Sequence, residues 1–433
     1  MMIDKIDKMI KKYRDVPLEF FGSRQKTVMS EVHADKLCSA NSSVNGGIGV
    51  KAIVGGRVGF SYTTNMSLIE KAVRQAMANA KFSELEQKTL PEKRDMQKIK
   101  NIYDKNVSDM TPESVMEISG KLSDDLKAVN RDLRMNLSVV EAASSNYFLV
   151  NSNGASYSSE LTSVSAVCEA VLKNSSGNAS FAVTSLKEFD TDFLAEKTSR
   201  LAIGGVNKKN VKSASQTVVL DADVINAIFG NTLYLSVNAD RVQKGQSMLA
   251  GKIGEMVGSE CLDICDCGAL DGGLSSSPFD RDGISTRKTD IISGGVLKSF
   301  MYDYVVALRE GRDSTGNGAG NFNTMSSIAP TNVVVKPSRT SFDSMISGIK
   351  DGMIIYEAMG THTANPITGD FSLAIAIGFK IIDGEIAYPV KNAMFAGNVF
   401  DLLKNVSAVA SDVRQTGHLV SPSIAFSGQK IVG

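Results

Sequence analysis

Three histidines, five cysteines and two glycine-rich turns hold most of the chain's capacity for metal or covalent chemistry. His33, His362 and His418 lie far apart, none at i, i+4 from another, and neither HExxH nor HExxxH occurs. A helical zinc peptidase site needs two imidazoles one turn apart, with a carboxylate beside them to activate water. Cys261, Cys265 and Cys267 form a C-x3-C-x-C cluster that strand alternation puts on one face, so three thiolates with a distant fourth ligand are a metal candidate. No second C-x2-C pair exists and Asp263 and Asp266 share the segment, which favours buried structural cysteines. A serine or cysteine triad needs a base oriented by a third group. His362, in a glycine-bounded loop near Glu357 and Asp370 in sequence, is the acid–base candidate, its alternative being an ordinary polar loop histidine.

The glycine-rich turns do not read as nucleotide sites. RDSTGNGAGNFN (312–323) lacks the Lys-Ser/Thr of a phosphate loop, and NGGIGVKAIVGG (45–56) does not open a helix. Thr315, Gly316 and Asn317 belong to a segment where positive φ and free backbone donors suit an extended peptide, or simply a long turn. Asn365, Pro366, Gly369 and Asp370 form a second turn-rich segment with the same prospect.

Around these sites the periodicity predicts an α+β fold. Ile3, Ile6, Ile10 and Tyr13 recur at helical spacing over 2–14. Alternation from Leu18 to Thr63 predicts strands, with a hairpin about Gly55-Gly56. Ser67 and Glu70 read as a capping box for a helix to about residue 81, and a second helix begins at Thr111 with Pro112 in its first position. Residues 84–107 read as a loop or extended crossing segment. Residues 134–186 read as short β runs separated by NSNG (151–154) and KNSSGN (173–178), followed by a helix at about 190–203. The polar, lysine-rich GGVNKKNVKSASQ (204–216) reads as a solvated linker. It divides an N-terminal domain of antiparallel sheet and helices (1–205) from a β-rich C-terminal domain (215–433). In the latter a strand leads into a helix over about 223–236, CLDICDC (261–267) alternates as a strand, and hairpins turn about Gly294-Gly295 and Asp383-Gly384.

At 433 residues two domains are the natural prior. Apolar content of 42% and charged content of 22% are those of a globular protein. Forty-seven basic and 47 acidic residues cancel, so direct nucleic-acid binding, which runs on phosphate neutralisation, is not expected. The charged start has no apolar stretch of a secretory signal, no run approaches a membrane span, and the odd cysteine count suits a reducing cytoplasm.

The ordered blocks IGVKAIVGGRVGFSYT (48–63), RVQKGQSMLAGKIGEMV (241–257), GGLSSSPFDRDGISTRK (272–288), GVLKSFMYD (295–303), STGNG (314–318), PTNVVV (330–335), NPITGDFS (365–372), GEIAYPV (384–390) and AGNVFDLLKNV (396–406) resemble the TldD/PmbA family of metallopeptidase-related proteins, nearly along the whole chain. SSPFD, NPITGDFS and QKGQSMLAGKIGE are similar to its PmbA (TldE) branch. The resemblance implies that a catalytic subunit would carry HExxxH in the stretch matching 218–237. Here that stretch offers Ile225, Asn226, Phe229, Tyr234 and Leu235, with neither histidine nor glutamate. It implies further a non-catalytic cytoplasmic subunit, without a cofactor of its own, that pairs with a TldD-like HExxxH subunit holding zinc and handles unfolded peptides. The family is also linked, by name, to DNA gyrase. A stand-alone homodimeric peptide- or protein-binding protein, and a nonmetal hydrolase using a site near His362, are the alternatives.

Overall fold

The alternating run from Leu18 onward builds three long strands, β1 (Leu18–His33), β2 (Lys36–Val54) and β3 (Arg57–Thr63), in the computed structural model, which describes residues 2–433. With β4 (Arg134–Asn151), β5 (Ser156–Leu172) and β6 (Ser175–Val183) they form one antiparallel sheet in the order β3-β2-β1-β4-β5-β6. The strands of 134–183 are longer than the short runs expected. β4 spans 18 residues and β5 17. Their Ser/Asn-rich middles look like turn chemistry, but neighbours on both sides complete the ladder there, as at Lys26↔Ser144↔Thr162. Of KNSSGN only Lys173 and Asn174 turn, and Ser175 onward belongs to β6.

Even-numbered residues of β1 share one face. At one end of that face pack α1 (Met2–Lys12) and α2 (Ile69–Asn79), over Leu18, Phe20, Ile48 and Val50. At the other pack α4 (Pro112–Val129) and α5 (Thr191–Gly204), over Val28, Val140, Val164 and Ala166, with the short α3 (Lys105–Ser108) beside them. Thr111 caps α4 reciprocally with Ser114. The Ser67/Glu70 box does not form. Asn65 caps a preceding 3-10 turn through Ser67 N, and Glu70 instead accepts from Lys12 Nζ at 2.8 Å. The crossing segment closes sheet edges. Leu85 O accepts from Val58 N beside β3, and Ile102 O accepts from Thr162 N beside β5.

The remaining strands lie in other sheets. β7 (Lys209–Asn210) pairs with Val390–Lys391, and Lys209 Nζ stands 4.8 Å from the Tyr388 ring, so the lysine-rich segment is partly docked rather than wholly solvated. β8 (Ala214–Leu220) joins Ile424–Val432, Met394–Asn398, Asp370–Ile382 and Asp351–Met359 in a ring that closes because Asp351–Met359 pairs both with β8 and with Asp370–Ile382. Val218, Met353, Leu373 and Phe395 belong to its core. After β8 comes α6 (Ala222–Asn231). β9 (Ile264–Cys267) lies in a separate sheet with Lys288–Ser293 and Val333–Val335. Both hairpins expected after residue 215 form, and Asp383 and Gly384 take φ of 48° and 83°, as a type I′ turn requires. Among the described residues no helix is long and apolar enough to cross a membrane.

Candidate functional site

Between its two helix pairs the first sheet is bare. Over residues 22–26 β1 reads Gly-Ser-Arg-Gln-Lys, and Ser23 to Lys26 are half-buried or exposed, polar side chains that offer no apolar surface for another packed layer. One cleft lies on each face. The outer, about 950 Å³, is floored by Gly22, Arg24, Gly46, Asn146 and Glu160 and walled by Ile3, Val44, Phe148 and Met66. The inner, about 350 Å³, lies against the C-terminal half. Ser23, Gln25, Asn45 and Tyr147 of the sheet face Ser275, Phe279, Thr286, Thr331 and His418 across it, and residues 316–322 form one rim.

The loop of Thr315, Gly316 and Asn317 is therefore at a cleft, though its donors turn inward. Thr315 N and Asn317 N donate to Tyr302 O, Gly316 N to Ser314 Oγ and Gly318 N to Asp280 Oδ2. Asn317 Nδ2 donates to Asp266 Oδ2 at 2.8 Å and to Ala329 O at 3.0 Å. Asp266 also accepts from Thr331 N and Oγ1, each at 2.7 Å, and burial pushes its carboxyl above the usual range. The loop offers the cleft a rigid wall rather than free amides. Asn365, Pro366, Gly369 and Asp370 do not line this cleft. Asn365 Oδ1 accepts from Ile367 N and Thr368 N, while Asp370, held below its ordinary range by Asn398 Nδ2 and Thr368 Oγ1, closes the same exposed turn.

His362 is exposed in a 3-10 turn, and among the described residues no acid pairs with it. The charges acting on Glu357 are Glu169, Asp223 and Lys208, and its carboxyl is pushed up chiefly by burial. His418 is the histidine at the cleft. Its Nδ1 lies 2.9 Å from Thr331 O and 3.1 Å from Ser275 Oγ. A carbonyl only accepts, so Nδ1 carries the hydrogen and cannot take a proton from Ser275. The pair is not an activated nucleophile.

The cysteines are not buried as expected. Cys261 is exposed, while Cys265 and Cys267 are half-buried on the outer face of β9, because Ile264 and Asp266 take the inward positions. Burial still pushes the Cys265 thiol up to about 11 and raises Cys267, which disfavours thiolate. Among the described residues no group of three or more His, Cys, Asp or Glu is placed to hold a metal. Helix α6 does not fit zinc either. Ile225 and Phe229 are in the core, Asn226 Oδ1 accepts from Tyr234 Oη at 3.3 Å, and the helix stops at Thr232. At its N-terminus Asp221 and Asp223 meet Lys197 of α5 and Arg414, with Lys197 Nζ 3.1 Å from Asp221 and Arg414 Nη2 2.9 Å from Asp223. Burial opposes the charge of Asp223, but Arg414 and Lys197 outweigh it and hold the carboxyl far below its ordinary range.

A second buried cluster was not foreseen. Lys51 Nζ lies 3.1 Å from Glu19 and 3.0 Å from Asp282, and Arg281 Nη1 lies 3.1 Å from Glu19, with all four side chains nearly inaccessible. It ties β1 and β2 to the loop behind the inner cleft. The available signal was the lone charge in IGVKAIV together with D-R-D in the SSPFDRDG block.

Three matches with family domains cover most of the chain: PmbA/TldA metallopeptidase domain 1 over residues 18–80, the central domain over 105–205 and the C-terminal domain over 213–433. An uncharacterized protein of Methanocaldococcus jannaschii is 32% identical over 400 residues, 91% of each chain. The metalloprotease PmbA of Escherichia coli O157:H7 is 26% identical over 242 residues, 56% of this chain and 51% of that protein. The crystal structure of TldE from Thermococcus kodakarensis has the same fold, with a TM-score of 0.92 at 22% identity over 100% of both chains.

Proposed function

The chain belongs to the PmbA/TldD metallopeptidase family, and on that premise we propose that it is the non-catalytic, TldE-like subunit of a TldD-type zinc peptidase in the cytoplasm. One observation carries the reading. At the helix where a catalytic subunit is expected to hold its metal, α6 presents Ile225 and Phe229 to the core and an ion cluster at its start. Substituting ligands there would empty the core and leave buried polar groups unpaired, so the helix is committed to packing. Zinc in the partner would activate water; this chain contributes cleft walls that hold an extended, unfolded peptide. The inner cleft suits that task, being apolar at Phe279 and Tyr147 with fixed polar groups at Ser275, Thr331 and the 316–322 rim.

The test is reconstitution with the HExxxH homologue from the same organism. The two proteins should co-elute, and peptidase activity should appear only in the mixture and fall on chelation. Full activity of the homologue alone, with no co-elution, rejects the companion role. Zinc at one equivalent per chain in the lone protein, or hydrolysis lost in His362→Ala, rejects it in favour of a self-sufficient enzyme.

A further inference from the structure

We infer that the open edge of β2 at Ala40–Gly46 takes up an extended polypeptide as an added antiparallel or parallel strand, seated between the two clefts. The inference rests on the reading of the chain as a peptide-handling subunit and adds to it a docking site.

The backbone parity fixes which groups face outward. Val54 and Arg57 close a two-residue hairpin and are paired, so the even-numbered residues of β2 turn their N–H and C=O toward β3. The pairing of β2 with β1 runs unbroken from Ser39 to Ala52, and the same parity therefore continues past the end of β3 at Ile48↔Thr63. Ala40, Ser42, Val44 and Gly46 point their backbone groups away from β1, where among the described residues no strand pairs with them.

Proteins guard such edges with charge, proline, bulges or a covering segment. The neighbouring edges are covered, β3 by residues 85–87 and β5 near Thr162 by residues 102–104. Residues 39–47, SANSSVNGG, carry neither charge nor proline. A strand laid there continues the line of β3, so its alternate side chains fall to opposite faces of the sheet. On one face lies the outer cleft, with Val44, Ile3 and Met66 as its apolar wall. On the other lie Asn45, Asn321 and Phe322, the rim of the inner cleft. Main-chain bonds supply affinity without reading sequence, and the clefts select side chains of modest size. Both suit unfolded peptides of varied sequence. An uncharged edge with no self-complementary ion pairs favours such a peptide over a second copy of this chain.

The experiment uses the full chain and a short fluorescein-labelled peptide of alternating threonine and valine, ended by lysines for solubility. Binding is read by anisotropy. Ser42→Pro deletes an outward N–H and fills the edge while sparing the β1 bonds, because edge proline is tolerated where its nitrogen faces solvent. It should weaken binding about tenfold, the loss expected for one or two hydrogen bonds, with an unchanged melting temperature. Ser43→Ala, whose backbone faces β1, should bind as the parent does. The same peptide N-methylated on alternate amides should also lose about tenfold in one of its two frames, a readout that does not depend on how any variant folds. No binding of the peptide, or equal binding by Ser42→Pro and by both methylated peptides, overturns the inference. So does a parent dimer that Ser42→Pro makes monomeric, since the edge is then taken by a second copy. Peptidase activity of the mixture that is indifferent to Ser42→Pro defeats the edge alone; peptide capture without activity in the mixture defeats the companion role alone.

Discussion

Replacing Lys51 by methionine keeps an unbranched apolar stem and removes the ammonium, with its charge and its hydrogen bonds to Glu19 and Asp282. In the parent, Lys51 Nζ sits 3.0 Å from Asp282 and 3.1 Å from Glu19, and the lysine is 1% exposed. Glu19 keeps Arg281 at 3.1 Å. Asp282 keeps Ser326 Oγ at 2.7 Å, a long bond from Tyr304 N at 3.4 Å and the more distant charge of Arg281, but loses its direct ion pair. Removing one member of a buried pair leaves the other charge uncompensated and costs about 3–5 kcal/mol. The pH dependence follows from Asp282. Burial disfavours its charge, but Lys51 leads the interactions that hold its carboxyl below the ordinary range. A depressed carboxyl contributes stability above its unfolded pKa, lost as pH falls. In Lys51→Met that carboxyl instead binds a proton on folding, so the loss is largest at pH 7–8 and shrinks toward pH 5. Urea unfolding at both pH values measures it, and Asp282→Asn in the Lys51→Met background should recover about 2 kcal/mol. A loss below about 1 kcal/mol, or one independent of pH, refutes the description of this cluster as a charge-balanced tie between the first sheet and the 280–282 loop.

Asp303 gives a change of the opposite sign. Burial, and then the charge of Asp282, push its carboxyl up to about 6, so the folded state prefers it protonated and loses stability as pH rises from about 4 to 6. Asp303→Asn can still cap through Val306 N and should stabilise the protein by up to about 3 kcal/mol at pH 7.5 and not at pH 4; urea midpoints at the two pH values decide it. Gly316 has φ of 80°, and a Cβ there would lie 2.8 Å from Thr286 Cα, so Gly316→Ala should cost about 3 kcal/mol, seen as a lower midpoint in the same assay. Trypsin should cut first after Lys208 or Lys212, in the segment proposed to separate the N- and C-terminal domains, since Lys212 is exposed and residues 211–213 belong to no strand; first cleavage within 84–107 rejects that boundary.

The sequence by itself determined the local elements and the family. Apolar spacing gave the helix after Thr111, and paired turn residues gave the hairpins at Gly55-Gly56, Gly294-Gly295 and Asp383-Gly384, because these depend on a few adjacent backbone angles. The absence of histidine and glutamate from 222–231 was equally legible, since a missing imidazole needs no coordinates. Long-range pairing was not legible. NSNG and Lys173-Asn174 do turn, but the runs between them were expected to be short, and β4 and β5 stay extended through their Ser/Asn-rich middles because strands on both sides complete their ladders. The Cys265 and Cys267 face was found correctly, but alternation does not say which face is covered, and Ile264 and Asp266 took the interior. Only the tertiary structure brought Lys51 to Glu19, Asp282 and Arg281, or put residues 316–322 at a cleft and 365–370 elsewhere. Such meetings depend on contacts between segments more than 200 residues apart, as Lys51 and Asp282 are, separated by 231 positions. No local propensity encodes a distance of that kind; it is set by how the sheets pack.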